Sequence, residues 1–416
     1  MSAAALPVLP YGRHAIDEDD LAAVRAVLCG DWLTTGPAVR LFESALAEHV
    51  GAAHAVSCNS ATAGLHLACL ALDLKPGEAV IVPAITFVAT ANAARLAGAE
   101  VVFADVDPDT GLMEATHLAL AIAEAERRRL KPRIVLPVHL AGQCADMAAI
   151  AAVARASGLA IVEDACHAIG TVERRPDGTE IPVGSCAHSD MAIFSFHPVK
   201  TIAAGEGGAV TTQSDALAER LRRLRSHGIV RDETQFEDRV EAFEQAMVNP
   251  WYYEMVELGL NYRLSDINCA LGLSQLKKLD HFVKTRRELA ALYDARLAGL
   301  APVLRRARQR PDTLPGWHLY TVLIEFEAAG ITRGALMRDL ESEGIRTQVH
   351  YIPVPRQPYY RRRYGDAVLP GADAYYRRTL SLPLYVGLTA DDVERVASAL
   401  ERRLAAPSAM VRRHAS

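Results

Sequence analysis

The 416-residue chain contains no C-x-x-C pair: its seven cysteines, at 29, 58, 69, 144, 166, 186 and 269, are odd in number and widely spread. That spacing excludes a disulfide framework and a paired-ligand metal site, and it reads as the reduced core thiols of a cytoplasmic protein. Aromatic residues make up only 6% of the chain and the net charge is −5. The basic runs Arg127–Arg129, Arg305–Arg310 and Arg361–Arg363 therefore lack stacking platforms and read as solvated faces, so no nucleic acid is expected. Long apolar runs are missing too. The charge-free stretch Ala79 to Ala94 is interrupted by Pro83, Thr86, Thr90 and Asn92 and falls short of the roughly 18–20 apolar residues of a membrane span. Met1 to Pro10 has neither a basic start nor an apolar core, so no secretory leader is expected. No G-x-G-x-x-G follows the first predicted strand. Gly205-Glu206-Gly207-Gly208 has neither that spacing nor a helix behind it, which argues against a nicotinamide dinucleotide.

What is present is ordinary in bulk, half hydrophobic and 23% charged, and long enough for a large domain with a smaller companion. Its chemistry centres on Lys200, in Phe194-Ser195-Phe196-His197-Pro198-Val199-Lys200, between an apolar run and the turn at Gly205–Gly208. Upstream, Ala160-Ile161-Val162-Glu163-Asp164-Ala165 reads as a buried parallel strand ending in acid, where α/β sheets present working side chains. A lysine on a loop beside a strand-end aspartate suggests a pyridoxal phosphate site, in which the amine holds the cofactor and Asp164 faces its ring nitrogen. The competing uses are a solvated lysine and an N-cap. A third element favours the cofactor: strand 54–58, the turn Asn59-Ser60-Ala61-Thr62 and a helix over 63–74 form a cradle whose free amides suit a phosphate. Phe87, at a strand-to-helix turn, is placed either to lie on a cofactor ring or to pack in the core.

Further strands are predicted at 79–83, 101–106 and 134–139, alternating with helices, which implies a mainly parallel sheet with helices on both faces. A basic helix over 211–229 follows, then an irregular excursion over 231–257. A long helix from Asp266 to Leu297 then leads to strands at 318–326 and 345–351 and helices at 332–343, 370–378 and 389–404. The expected organisation is an α/β domain over 1–280 whose N-terminal segment 1–37 lines the site, a small α+β domain over 281–405, and a flexible tail at 406–416.

Five ordered blocks, Trp32–Pro37, Asn59–His66, Glu163–His167, Ser195–Lys200 with Gly205–Gly208, and Asn261–Asp266, resemble the DegT/DnrJ/EryC1/StrS family of sugar aminotransferases. The resemblance runs from about Tyr11 to Leu404 and implies fold type I of the pyridoxal phosphate enzymes. It further implies that Lys200 attaches the cofactor, Asp164 pairs with the ring nitrogen, Phe87 stacks on the ring and His167 lies on its hydroxyl side. Ala61, Thr62 and Ser195 would hold the phosphate together with Asn261 from a second subunit, which makes a homodimer with shared sites the expected state. Some relatives that dehydrate sugars have lost this lysine; its presence here favours transamination, and it argues with Asp164 against a cofactor-bound regulator without turnover.

Ala68–Leu74, Val138–Gln143, Ser226–Ile229, Trp251–Tyr253 and Val349–Pro353 are similar to the pseudaminic acid branch of that family. That branch moves an amino group from L-glutamate, which leaves as 2-oxoglutarate, to C4 of a UDP-linked 2-acetamido-2,6-dideoxy-4-keto-hexose. Tyr11, Leu33, Thr34, Thr35, Gly36, Gln348, Val349, His350 and Tyr351 would then border the sugar nucleotide. The stretches 173–185 and 231–250 depart from the branch pattern. A sister enzyme acting on a UDP-4-keto-arabinose or a GDP-perosamine precursor is the alternative.

Overall fold

Strands β1 (His54–Cys58), β2 (Glu78–Pro83), β3 (Glu100–Ala104), β4 (Lys131–Val135), β5 (Ala160–Asp164), β6 (Met191–Ser195) and β7 (Gly208–Thr212) form one seven-stranded sheet. In the computed structural model, which describes residues 7–175 and 177–404, their spatial order is β1-β7-β6-β5-β4-β2-β3. Strand β7 is antiparallel to both neighbours and every other pairing is parallel. The sheet is therefore mainly parallel, as expected.

Because side chains alternate along a strand, each strand feeds two cores. Ile81, Val102, Val135, Ile161 and Phe194 belong to one apolar cluster, which also takes Phe42 and Leu46 from helix α1 (Pro37–Val50). Their neighbours Val80, Val101, Ile134, Val162 and Ile193 belong to the other, with Leu65 and Leu67 from helix α2 (Ala61–Ala71). Strands buried on both faces need continuous apolar runs, which is why they read so clearly in the sequence. A third cluster, including Tyr293, Tyr320, Val322, Leu382 and Leu400, gathers the C-terminal elements around strands Leu304–Arg306, Tyr320–Ile324 and Thr379–Leu382.

Several expectations need correction. Residues 345–351 form no strand: the segment makes only single bridges, Ile345 to Leu9 and Gln348 to Ser381. It is pinned at two points and then turned towards the sheet. The helix expected from Asp266 to Leu297 is two, Asp266–Leu276 and Leu279–Leu297, broken where Lys278 pairs with the fully buried Asp20 at 2.8 Å. The basic helix starts only at Asp215, capped by Ser214, because 208–212 is spent on β7. The excursion has local order: Phe243–Glu244 pairs with Met247–Val248, and Val230, Phe236 and Ala242 make a small core of their own. Residues Val172–Arg174 and Glu180–Pro182 pair as a hairpin joined by Thr313–Leu314. The tail expected at 406–416 lies outside the described residues.

Candidate active site

Four chain segments leave the same edge of the sheet, as the parallel topology requires. After β1, Ser60 caps α2 by accepting from the Ala63 amide at 3.1 Å. Ala61 and Thr62 are first-turn residues, with no carbonyl four positions back in the helix, so their amides remain for a ligand. The turn lies directly against β7. A Cβ at Gly208 would fall 2.5 Å from the Ala61 nitrogen and 2.5 Å from the Ser60 carbonyl carbon. Only glycine lets the cradle sit there.

Asp164 ends β5 and is buried. Its Oδ2 accepts from Thr90 Oγ1 at 2.7 Å and its Oδ1 from the Cys166 amide at 3.2 Å. Thr90 is itself paired with Thr86 Oγ1 at 2.7 Å. Among the described residues neither oxygen meets an arginine or lysine at salt-bridge distance, so the carboxyl group is oriented and left to face a ligand. Lys200 follows β6, its amide bonded to the His197 carbonyl at 2.8 Å. Burial pushes its ammonium below the ordinary lysine range, opposed by Cys166 and Asp164. Phe87 precedes helix α3 (Val88–Leu96) and is 56% exposed, which removes core packing as its use.

His167 is buried, with Nδ1 accepting from the Ala141 amide at 3.2 Å and Nε2 3.0 Å from the Tyr351 hydroxyl. Burial, and then the nearby Lys200 charge, hold its imidazole neutral well below the usual histidine range. His350, bonded through Nδ1 to Ser381 Oγ at 2.8 Å, is pushed down to about 3 by burial and by Lys200.

Lys200, Asp164, His167, Ala61, Thr62, Phe87 and Ser195 line one cavity of about 470 Å³. Tyr11, Gln348, Val349, His350 and Tyr351 form part of the same wall. Leu33, Thr34 and Asn261 do not line it; Thr34 bridges to Ser265 and Asn261 to Ser226. Thr35 and Gly36 line a second cavity of about 700 Å³, beside Arg40, Arg222, Arg225 and Arg263. Thr90 and His318, both on the wall of the main cavity, were not singled out as site residues from the sequence. Thr90 could have been found from its spacing of four from Thr86 on a helix start. His318 had no such signal, since it arrives from the C-terminal cluster to lie 4.5 Å, ring to ring, from His167. Among the described residues no group of three His, Cys, Asp or Glu could hold a metal ion.

Pyridoxal phosphate has a phosphate dianion, a flat ring, a basic ring nitrogen and an aldehyde. The cavity offers a complement to each: free helix amides beneath a glycine, an exposed phenyl ring, an oriented carboxylate, and a lysine amine biased towards neutrality.

Residues 14–401 match the DegT/DnrJ/EryC1/StrS aminotransferase family. Over 396 residues the chain is 38% identical to the spore coat polysaccharide biosynthesis protein SpsC of Bacillus subtilis (strain 168), covering 94% of this chain and 96% of that protein. Its structure is similar to Helicobacter pylori PseC, an aminotransferase involved in the biosynthesis of pseudaminic acid, with TM-score 0.83, 29% identity, and 96% and 99% of the two chains covered. Spr1654 of Streptococcus pneumoniae matches in its PLP form with TM-score 0.83, at 26% identity and covering 96% and 99% of the two chains. The PMP form of Spr1654 matches with TM-score 0.84, at 26% identity and covering 95% and 99%.

Proposed function

This chain belongs to the DegT/DnrJ/EryC1/StrS aminotransferase family and is a pyridoxal-phosphate-dependent sugar aminotransferase of fold type I, and on that premise we propose that it carries nitrogen from L-glutamate to C4 of a UDP-linked 2-acetamido-2,6-dideoxy-4-keto-hexose. The reading is carried by one observation: Lys200 and Asp164 share a cavity with the wall Gln348–Tyr351, in a chain similar to PseC along nearly its whole length. The likeness to SpsC supports a second acceptor, a different nucleotide-linked 4-keto sugar. Incubating purified protein with L-glutamate and a panel of UDP- and GDP-4-keto sugars, with NMR of the product, separates the two. Amination of only GDP-linked sugars would overturn the first.

In this reading Ala61, Thr62 and Ser195 would hold the phosphate, Phe87 would pack against the ring, Asp164 would keep a proton on the ring nitrogen, and His167 would lie on the ring's hydroxyl side. Bound pyridoxal phosphate supplies an electron sink and a nitrogen carrier. Thr90 and the Cys166 amide hold Asp164 in orientation, so no reorganisation is needed when charge develops. Lys200 would hold the cofactor and would serve as the base that moves the proton at the substrate carbon; its lowered affinity for protons suits it to that role. Burial keeps His167 and His350 neutral on that wall.

The homodimer belongs to the same proposal. Leu33 to Gly36 and Asn261 stand away from the cavity of their own chain, where a partner could bring them to its site. The division into domains 1–280 and 281–405 is supported by the separate third apolar cluster. A cytoplasmic location fits the seven free cysteines; no helix of the described residues is long and apolar enough to cross a membrane.

A further inference from the structure

The hydrogen-bond chain at His167 has only one consistent arrangement of protons. A backbone amide can only donate, so the Ala141 N–H bonded to Nδ1 requires that nitrogen to be bare. A neutral ring then carries its hydrogen on Nε2, which faces the Tyr351 hydroxyl at 3.0 Å. The phenol oxygen accepts that bond. Its own O–H is left over, and among the described residues it has no other partner. Tyr351 lines the cavity beside Lys200 and Asp164, so the free O–H has the cavity as its outlet.

The anchor of the chain is itself constrained. Ala141 adopts φ +62, unusual for a residue with a side chain, and its carbonyl accepts from Leu319. Strain of this kind persists where the surroundings over-determine it, often at functional sites. On the other side of the tyrosine, His350 is tied to Ser381 and Gln348 bridges the same residue. The His167 end of the bond is thus held by a backbone amide, and the tyrosine follows two residues tied to Ser381.

We propose that Tyr351 is a catalytic residue whose hydroxyl donates to the carbonyl oxygen of the keto compound in the cavity, with His167 as its positioning residue. The inference rests on the transaminase reading. In any transamination a C=O and an NH2 group become C=N and water, so the oxygen that leaves must be hydrogen-bonded as its charge grows. Both partners of a ping-pong cycle present that oxygen at the same place, so 2-oxoglutarate reports for the sugar as well.

Two measurements test it. In protein labelled with 15N-histidine, His167 should show a bare Nδ1 and a protonated Nε2; a protonated Nδ1 overturns the assignment. In stopped-flow half-reactions of the holoenzyme with L-glutamate and with 2-oxoglutarate, Tyr351→Phe should slow both by about 10- to 100-fold, the loss of one hydrogen bond to a developing charge. Cofactor content and melting temperature should stay as in the wild type. His167→Gln, whose amide can accept from Ala141 and donate to Tyr351, should lose less rate than His167→Leu. Rates for Tyr351→Phe within threefold of wild type overturn the proposal. Failure of the wild type itself to react with glutamate would instead sink the transaminase reading, and this one with it.

Discussion

Replacing Asp164 by asparagine separates the fold of the site from its electrostatics. The cavity tolerates the change. The asparagine oxygen keeps the Cys166 amide, and its NH2 can donate to Thr90 Oγ1, because the Thr86–Thr90 hydroxyl pair can reverse its direction. Exchange of charged for neutral hydrogen bonds costs about 1 kcal/mol in stability. The catalytic loss is larger. A carboxylate buried opposite a protonated ring nitrogen acts where water does not screen it, and removal of one such oriented group is worth roughly 3–4 kcal/mol, or 10²–10³-fold in rate. Asp164→Asn should therefore melt within a few degrees of the wild type, remain yellow when loaded with pyridoxal phosphate, and convert glutamate two to three orders of magnitude more slowly in a stopped-flow half-reaction. Turnover within threefold of the wild type would refute the role given to Asp164.

Gly208→Ala should lower affinity for pyridoxal phosphate and destabilise the protein by about 1–3 kcal/mol, since its Cβ would lie 2.5 Å from backbone atoms of Ser60 and Ala61; equilibrium dialysis and urea titration read both. Stability should fall on acidification: burial holds His167, His318 and His350 neutral in the fold, His350 down to about 3, while the unfolded chain takes up those protons below about pH 6.5. The unfolded state binds more protons in that window, so the three together remove about 3 kcal/mol between pH 6.5 and 5.5, and a flat urea midpoint across that interval would contradict it. If sites are shared, inactive Lys200→Ala and Asn261→Ala proteins, unfolded together and refolded, should recover about a quarter of wild-type activity through mixed dimers with one complete site; no recovery would count against the dimer.

The sheet was legible because burial on both faces forces uninterrupted apolar runs such as Ala79–Val82, and such runs have few alternatives. The errors came from tertiary partners. The apolar stripe from Ala270 to Leu297 continues across 277–278, and nothing local announces that Lys278 will be drawn to Asp20. Val349-His350-Tyr351 has β-forming residues, yet the segment meets the sheet at one residue and so stays a bridge. In the site, Lys200, Asp164 and the cradle were readable because each lies at or within a few residues of the end of a strand. His318 and the His167–Tyr351 bond were not, because they join elements remote in sequence and depend on how the C-terminal cluster sits over the sheet edge.

Charge distribution makes a further demand on the proposed substrate. A UDP-sugar carries a diphosphate, and the walls of the Lys200 cavity include no arginine among the described residues; beside the carboxylates Asp164 and Glu206 they hold His167, His318 and His350, kept neutral by burial, and a lysine of lowered proton affinity. The arginines lie instead on the second cavity, where Arg40, Arg222, Arg225 and Arg263 face a single carboxylate, Glu43. Arg225 is already engaged by Glu43 and by the Ser57 carbonyl at 2.6 Å. That leaves the other three, next to Thr35 and Gly36, to balance an anion. If the substrate is the proposed UDP-sugar, a single chain would thus offer the reacting carbon one cavity and the diphosphate another. Joining a partner's arginine face to the mouth of the Lys200 cavity would give one ligand both, and this electrostatic need supports the dimer independently of where Asn261 lies.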